Sequence, residues 1–303
     1  MYVIQAEGLT KHYSKGKIKA LDNFTIEVEK GKIFSLLGPN GAGKTTFIKL
    51  ILSIVKPTSG SGKIFDKSIS DPKSRGRIGY LSEHHIFPGY LTAEQVLYYY
   101  GLMSNVSRSK IKERTPILLK KVKLYDKRNI KVKKFSKGML QRLGTAQSLI
   151  NDPDILFLDE PTDGIDPIGR IEIREILNEL RNDGKTIFIN SHLLSEVERI
   201  SDEIAILKDG KLIKRGKLEH FINDTGCYRV FLDGSKNKII EEYALNKNLE
   251  ISYDKGFYRV ENDNLADLNE LIDLLRKNKI TISEIAPIKE TLEDYFIKII
   301  GKQ

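Results

Sequence analysis

The 303 residues are 40% hydrophobic and 30% charged, with 50 Lys/Arg against 41 Asp/Glu and a net charge of +9. That is enough for one large buried core plus a small one, but no run approaches the roughly 18 apolar residues of a membrane-spanning helix. The opening MYVIQAEGLTKHY lacks a signal-peptide layout, and the single cysteine, Cys227, excludes an intramolecular disulfide framework and shows no metal-ligand spacing, so a cytoplasmic location is expected.

Across residues 1–220, short β-branched runs alternate with helical patterns. Lys32 to Leu37 reads as a strand and Lys44 to about Val55 as a helix. From about Thr92 to Lys134 the alternation breaks into a helical, Lys-rich, strand-free insertion, part of a helical subdomain spanning about 84–150. Ile155–Leu158 and Thr186–Asn190 are nearly uninterrupted apolar runs, the pattern of strands buried on both faces of a parallel sheet. Between them, about Pro167 to Asn182 reads as an amphipathic helix, with Pro167 suited to its first turn. The series predicts an α/β domain with a mainly parallel, helix-covered sheet.

After about Phe221 the character changes, giving a second domain over residues 221–303. Tyr228–Leu232 reads as a strand, Ile239–Ala244 as a helix, and Leu249–Val260 as a hairpin turning at Asp254-Lys255-Gly256. Leu265–Lys277 is a helix with Leu268, Leu271, Ile272 and Leu275 on one face, followed by a strand over Thr281–Ile285 and a closing helix over Thr291–Ile300. The order β-α-β-β-α-β is that of a small ferredoxin-like α+β unit. This domain carries 12 Lys/Arg against 15 Asp/Glu, leaving an excess of +12 in residues 1–220, much of it between Arg108 and Lys137. Solvated helix faces account for such an excess; nucleic acid, anionic lipid headgroups or an acidic ligand are the alternatives.

Between the first strand and its helix, Gly38-Pro39-Asn40-Gly41-Ala42-Gly43-Lys44-Thr45 matches the phosphate-loop pattern G-x-x-x-x-G-K-[ST] in the strand-to-helix setting that the pattern requires. Its glycines let backbone N–H groups turn toward phosphate oxygens, and the helix N-terminus favours an anion. Lys44 would reach the β- and γ-phosphates, the Thr45 hydroxyl would ligate Mg²⁺, and Thr46 joins the loop as a further ATP-binding candidate. Ile155-Leu156-Phe157-Leu158-Asp159-Glu160 ends an apolar strand in two carboxylates at the sheet edge where ligands bind. Asp159 suits Mg²⁺, and Glu160 suits a base that orients and deprotonates water.

With these motifs in order, residues 1 to about 220 closely resemble the ATP-binding cassette family, and the fold implied is a P-loop ATPase core with a helical insertion. Phe135-Ser136-Lys137-Gly138-Met139-Leu140-Gln141-Arg142 resembles the family signature LSGGQ followed by Q-R. The resemblance implies that Ser136, Lys137, Gly138 and Met139 face the γ-phosphate of a nucleotide on another subunit, where the opening of a helix offers free N–H donors. It implies adenine contact for Tyr13, a dimer-interface loop at Asp166 in Thr162-Asp163-Gly164-Ile165-Asp166-Pro167, and γ-phosphate contact for His192. Glu83, ending Ile78-Gly79-Tyr80-Leu81-Ser82-Glu83, stands where the family has a Gln that senses γ-phosphate and Mg²⁺; it keeps the length and an oxygen but adds negative charge. Phe135, Lys137 and Met139 also depart from the signature.

One phosphate loop and one signature per chain imply a head-to-tail homodimer, or a heterodimer with a similar ATPase, around two ATP molecules. The resemblance further implies a separate integral-membrane permease, docked near Glu83 to Tyr90 and the insertion, and a chain peripheral at the cytoplasmic face of the membrane. Glu83 in that position and the C-terminal extension resemble the ATPases of multidrug, bacteriocin-immunity and similar export systems; the second domain is expected to be regulatory or dimer-supporting, with a simple packing decoration as the alternative. The alternative is a soluble relative acting on ribosomes or nucleic acid; the paired cassettes and long coiled coils of such relatives are missing from the sequence, and no nucleic acid is expected. A regulator without turnover is disfavoured because Lys44, Asp159, Glu160 and His192 are all intact.

Overall fold

The structure, a computed structural model, describes residues 1–222, 224–232, 238–247, 251–254, 256–261 and 265–301. They form two compact units, Met1–Leu218 and Glu219–Gln303. In chain order the first unit contains β1 (Tyr2–Tyr13), β2 (Ile18–Glu29), β3 (Ile33–Leu37), α1 (Lys44–Ile51), β4 (Ser59–Ile64), β5 (Lys67–Ser68) and β6 (Ile78–Leu81). The helical insertion follows as α2 (Ala93–Met103), α3 (Arg108–Lys121) and α4 (Lys137–Ser148). The unit closes with β7 (Ile155–Asp159), α5 (Pro167–Asn182), β8 (Thr186–Ser191), α6 (Leu194–Ile200), β9 (Glu203–Lys208) and β10 (Lys211–Lys217).

The central sheet runs in the order β10-β9-β3-β8-β7-β6, parallel from β9 to β6, with β10 antiparallel at its edge. β3, β7 and β8 are buried at every position, on both faces of the sheet, which is why they read as apolar runs rather than alternations. The period of two still sorts their side chains. Leu156, Leu158, Ile187 and Ile189 join the core shared with α5 and the helical insertion. Ile155, Phe157, Phe34 and Phe188 face the opposite way, into the core containing Phe47 of α1 and the inner residues of β1 and β2. Phe188 is its centre, with the rings of Phe34, Phe47 and Phe157 at 5.4–5.5 Å between centroids.

A second, antiparallel sheet in the order β2-β1-β4-β5 lies outside the predicted elements. Phe24, Ile26 and Val28 of β2 alternate with Thr25, Glu27 and Glu29, a half-buried pattern, whereas β1 is interrupted by register shifts around Glu7 and Gly8. The predicted first helix is shorter than its apolar run. Ser53 adopts φ +57°, and the N–H groups of Ser53 and Ile54 donate back to Leu50 and Lys49 carbonyls at 2.9 and 2.8 Å, closing the helix at Ile51. The insertion holds helices and short 3-10 turns, with one isolated bridge between Thr92 and Lys131 among the described residues.

The second unit contains β11 (Asp224–Leu232), α7 (Lys238–Lys247), β12 (Ile251–Asp254), β13 (Phe257–Glu261), α8 (Leu265–Lys277), β14 (Ile282–Lys289) and α9 (Leu292–Ile300). Its antiparallel sheet runs β12-β13-β11-β14. Val230, Val260 and Tyr258 from the sheet pack with Leu268, Leu271 and Leu275 of α8. Leu249, Glu250 and Lys255 of the predicted hairpin lie outside the described residues. β14 extends beyond the predicted Ile285 through Pro287, which an edge strand tolerates.

Candidate functional site

The loop between β3 and α1 ends at Gly43, with φ +109°. A Cβ there would strike the Ala20 carbonyl oxygen of β2, so glycine alone fits both the backbone angle and the space. Lys44 opens α1 and is buried, its ammonium donating to the carbonyls of Gly38 at 2.8 Å and Pro39 at 3.2 Å. Burial lowers its pKa, while the charges of Glu160, Asp159 and Glu83 oppose that shift. An anion entering the loop offers this ammonium a charged acceptor in exchange for two neutral ones.

β7 delivers Asp159 and Glu160 to the carboxyl edge of the sheet, beside Asn190 and His192 from β8 and the loop after it. Asn190 Nδ2 donates to Asp159 Oδ1 at 2.9 Å. Burial raises the Asp159 carboxyl above its ordinary range; the Asn190 bond opposes this, and the nearby Glu83 and Glu160 charges add to it. Tyr80, on β6, is pushed up to about 12 by burial first and then by Asp159 and Glu83. The carboxylates of Asp159, Glu160 and Glu83 therefore gather beside the Lys44 ammonium.

Glu160 is held in left-handed backbone at φ +51°. Its N–H donates to the Asn190 carbonyl at 2.8 Å, and Gln141 Nε2 donates to its carbonyl at 3.5 Å. The buried Glu160 carboxylate lies 2.8 Å from His192 Nδ1 through Oε1, and it accepts the His192 N–H at Oε2 over 3.3 Å. That contact makes Nδ1 the donor and leaves Nε2 as the second polar atom of the ring.

These groups surround a cavity of about 440 Å³. Backbone and side chains from Asn40 to Thr46 line it, together with Glu83, Asp159, Glu160 and His192, all read from the sequence. Gly38 and Pro39 contribute through their carbonyls to Lys44. Ala20, Asp163 and Asn190 also line it and were not anticipated; the one signal was a polar Asn closing an otherwise apolar strand. Tyr13 stands apart from this lining, at the end of β1, with the Lys11 ammonium 5.2 Å from its ring centroid.

The signature residues occupy a different cavity of about 310 Å³, lined by Ser136, Lys137 and Gly138 with Gly164, Ile165 and Asp166. Ser136 is the N-cap of α4 and accepts the half-buried Met139's N–H at 3.2 Å. Asp166 caps α5 in the same way, accepting from Gly169 at 2.9 Å. One chain thus brings the phosphate loop, the carboxylates and His192 together, and holds Ser136 and Gly138 outside that group.

A family model described as "ABC transporter" matches residues 21–163. The chain is 37% identical over 303 residues to an ABC transporter ATP-binding protein of Synechocystis, covering 98% of this chain and 84% of that one. The chain belongs to the ABC transporter ATP-binding proteins. This cassette ATPase is likewise 37% identical to the bacitracin transport ATP-binding protein BcrA of Bacillus licheniformis, over 99% of its own length and 97% of the relative's. A dimeric ATP-binding cassette solved in a post-hydrolysis state with ADP and phosphate superposes with a TM-score of 0.65 at 27% identity, covering 71% of this chain and 99% of that one. The ATP-binding subunit of another ABC transporter gives 0.65 at 28% identity, covering 72% and 91%. The cassette is a P-loop ATPase that binds and hydrolyses ATP. Among its described residues no helix is long and apolar enough to cross a membrane.

Proposed function

We propose that this chain energises an export transporter, closing as a dimer on two ATP molecules and passing that motion to a separate membrane subunit. The observation that carries the reading is the split between the two cavities. Lys44, Glu160 and His192 meet in one, while Ser136 and Gly138 line the other. A second copy, turned head-to-tail, would bring its α4 N-terminus to the phosphates held by the first. Relatives named for bacitracin transport and Nod factor export favour export. Residues 1–220 act as the ATP-binding domain, with docking to the permease through the loop from Glu83 to Tyr90 and the helical insertion. The second domain, 221–303, serves regulation or dimer support. The chain then works at the cytoplasmic face of the membrane.

In the hydrolysis step Glu160 takes a proton from water as the water oxygen bonds to the γ-phosphorus. The bond from that phosphorus to ADP breaks, its electron pair leaves with ADP, and inorganic phosphate results. Lys44 balances charge on the β- and γ-phosphates. His192, held against Glu160 through Nδ1, is assigned to the γ-phosphate by family resemblance, as Tyr13 is to adenine. Thr45, Asp159 and Glu83 are a hard-oxygen set suited to Mg²⁺. Among the described residues no three His, Cys, Asp or Glu side chains gather into a metal site of their own. Bound there, Mg²⁺ supplies charge neutralisation at the β- and γ-phosphates.

The test is to isolate the tagged chain from gently solubilised membranes and identify what accompanies it. A polytopic membrane protein at near-equal stoichiometry supports the transporter reading. Recovery with ribosomes or nucleic acid, or alone, removes it and leaves the ATPase assignment intact.

A further inference from the structure

β8 is buried along its whole length, and Ile187, Phe188 and Ile189 fill the cores on its two faces. The next residue, Asn190, is only 1% exposed, at a position where an aliphatic side chain would pack without leaving polar atoms to satisfy. Half of its amide is accounted for, because Nδ2 donates to Asp159 Oδ1 at 2.9 Å. The other half is not: Oδ1 is buried with no hydrogen-bond partner, while the residue lines the ATP cavity. The Asn190 carbonyl also accepts the Glu160 N–H at 2.8 Å, fixing the main chain from which the proposed base projects.

We propose that Asn190 is the water-positioning partner of Glu160, one end of its amide holding Asp159 and the other accepting a hydrogen from the attacking water. An ionised carboxylate only accepts hydrogen bonds, so Asp159 commits Nδ2 as the donor and thereby fixes Oδ1 as an acceptor. A water molecule aims a lone pair at phosphorus when both of its hydrogens are held. Glu160 takes one as the proton transferred in the reaction, and Asn190 Oδ1 accepts the other, which stays on oxygen and leaves with the phosphate product. The inference rests on the assignment of Glu160 as base, and it gives the buried, partnerless amide oxygen a role within the same reaction.

The experiment compares full-length Asn190→Leu, which keeps the approximate volume and removes both polar ends, with wild type; Asn190→Ala serves if Leu disturbs folding. Expected are a kcat lowered about 30-fold or more and a KM for ATP within about threefold of wild type. ATP-driven association measured in the Glu160→Gln background should be unchanged, and Asn190→Leu added to Glu160→Gln should lower the residual rate no further, since both act on one water. A kcat close to wild type overturns the proposal. So does a loss confined to KM or to association, which would make Asn190 a support for Asp159 alone. Wild-type turnover in Glu160→Gln by itself removes the base assignment and this inference with it, a result distinct from failure of Asn190 alone.

Discussion

Lys137 Nζ lies 3.1 Å from Asp163 Oδ2, joining the first residue of α4 to the loop that follows Glu160. Gly164, at φ +62°, makes room for the pair, since a Cβ there would strike the Lys137 ammonium. A lysine at a helix N-terminus opposes the helix dipole, and the first turn of α4 contains no acid to offset it. Asp163 supplies that charge from outside the helix. It also lines the cavity around Lys44 and Glu160, whereas Lys137 lines the one containing Ser136 and Gly138, so the pair links the two.

The pair makes an opposite-signed prediction. If the phosphate of a partner's nucleotide competes with Asp163 for Lys137, then Lys137→Met raises the ATP concentration for half-maximal association by about fivefold. Asp163→Asn lowers it, and that gain disappears when Lys137→Met is added. Light scattering of the variants in the Glu160→Gln background measures all three. A gain from Asp163→Asn that survives without Lys137 means that Asp163 acts directly on the nucleotide in its own cavity.

Asp159 is kept at a cost to the nucleotide-free chain. Burial disfavours its charged form, with the charges of Glu83 and Glu160 adding to that effect. Asp159→Asn removes the charge while keeping an acceptor for Asn190. It is expected to raise the melting midpoint of the nucleotide-free protein by about 2–5 °C and to abolish ATP turnover. Calorimetry beside an ATPase assay tests this; an unchanged or lowered midpoint contradicts it.

The sequence made some elements legible to the residue and hid others for identifiable reasons. Pro167 and the helical period bound α5 at Pro167–Asn182, and Leu268, Leu271 and Leu275 marked α8 over Leu265–Lys277. The antiparallel sheet of the first unit was hidden because β1 changes register around Glu7 and Gly8, which breaks its alternation. The end of α1 was hidden because a serine, not a glycine, takes the left-handed position. At the site, Lys44, Asp159 and Glu160 belong to motifs with fixed spacing, whereas His192 was found through the family resemblance, by its place after the strand over Thr186–Asn190. Asn190 and Asp163 reach the cavity only through strand register and loop closure. Nor did the motifs tell that the side chains of Ser136 and Asp166 would be engaged as helix caps.

Gly43→Ala tests the phosphate loop as a backbone device. The added Cβ meets the Ala20 carbonyl, and the φ of +109° is strained for alanine. The variant is expected to lose ATP binding in equilibrium titration and about 2–4 kcal/mol of stability. Near-wild-type ATP affinity contradicts the stated need for glycine.

In the second unit, Thr291 and Asp294 cap α9 reciprocally, with Asp294 accepting from the Thr291 N–H at 3.0 Å. The Thr291 hydroxyl, and then its backbone N–H, hold the Asp294 carboxyl below its usual range. The sign follows: this stabilisation is complete above the ordinary carboxylate pKa and is lost as pH falls through the lower folded value. Thr291→Ala costs about 1 kcal/mol of local stability near neutrality, and its difference from wild type narrows in acid. Hydrogen exchange of the α9 amides reads both; a difference independent of pH excludes the Asp294 contribution.

The central claim, a composite site closed by ATP and opened by Glu160-dependent hydrolysis, is tested most directly by the molar mass of full-length Glu160→Gln in saturating Mg-ATP. Size-exclusion chromatography with light scattering should give a monomer without nucleotide and a stable dimer with ATP that does not form with ADP. A Glu160→Gln chain that remains monomeric in Mg-ATP, or that turns ATP over at the wild-type rate, contradicts the account.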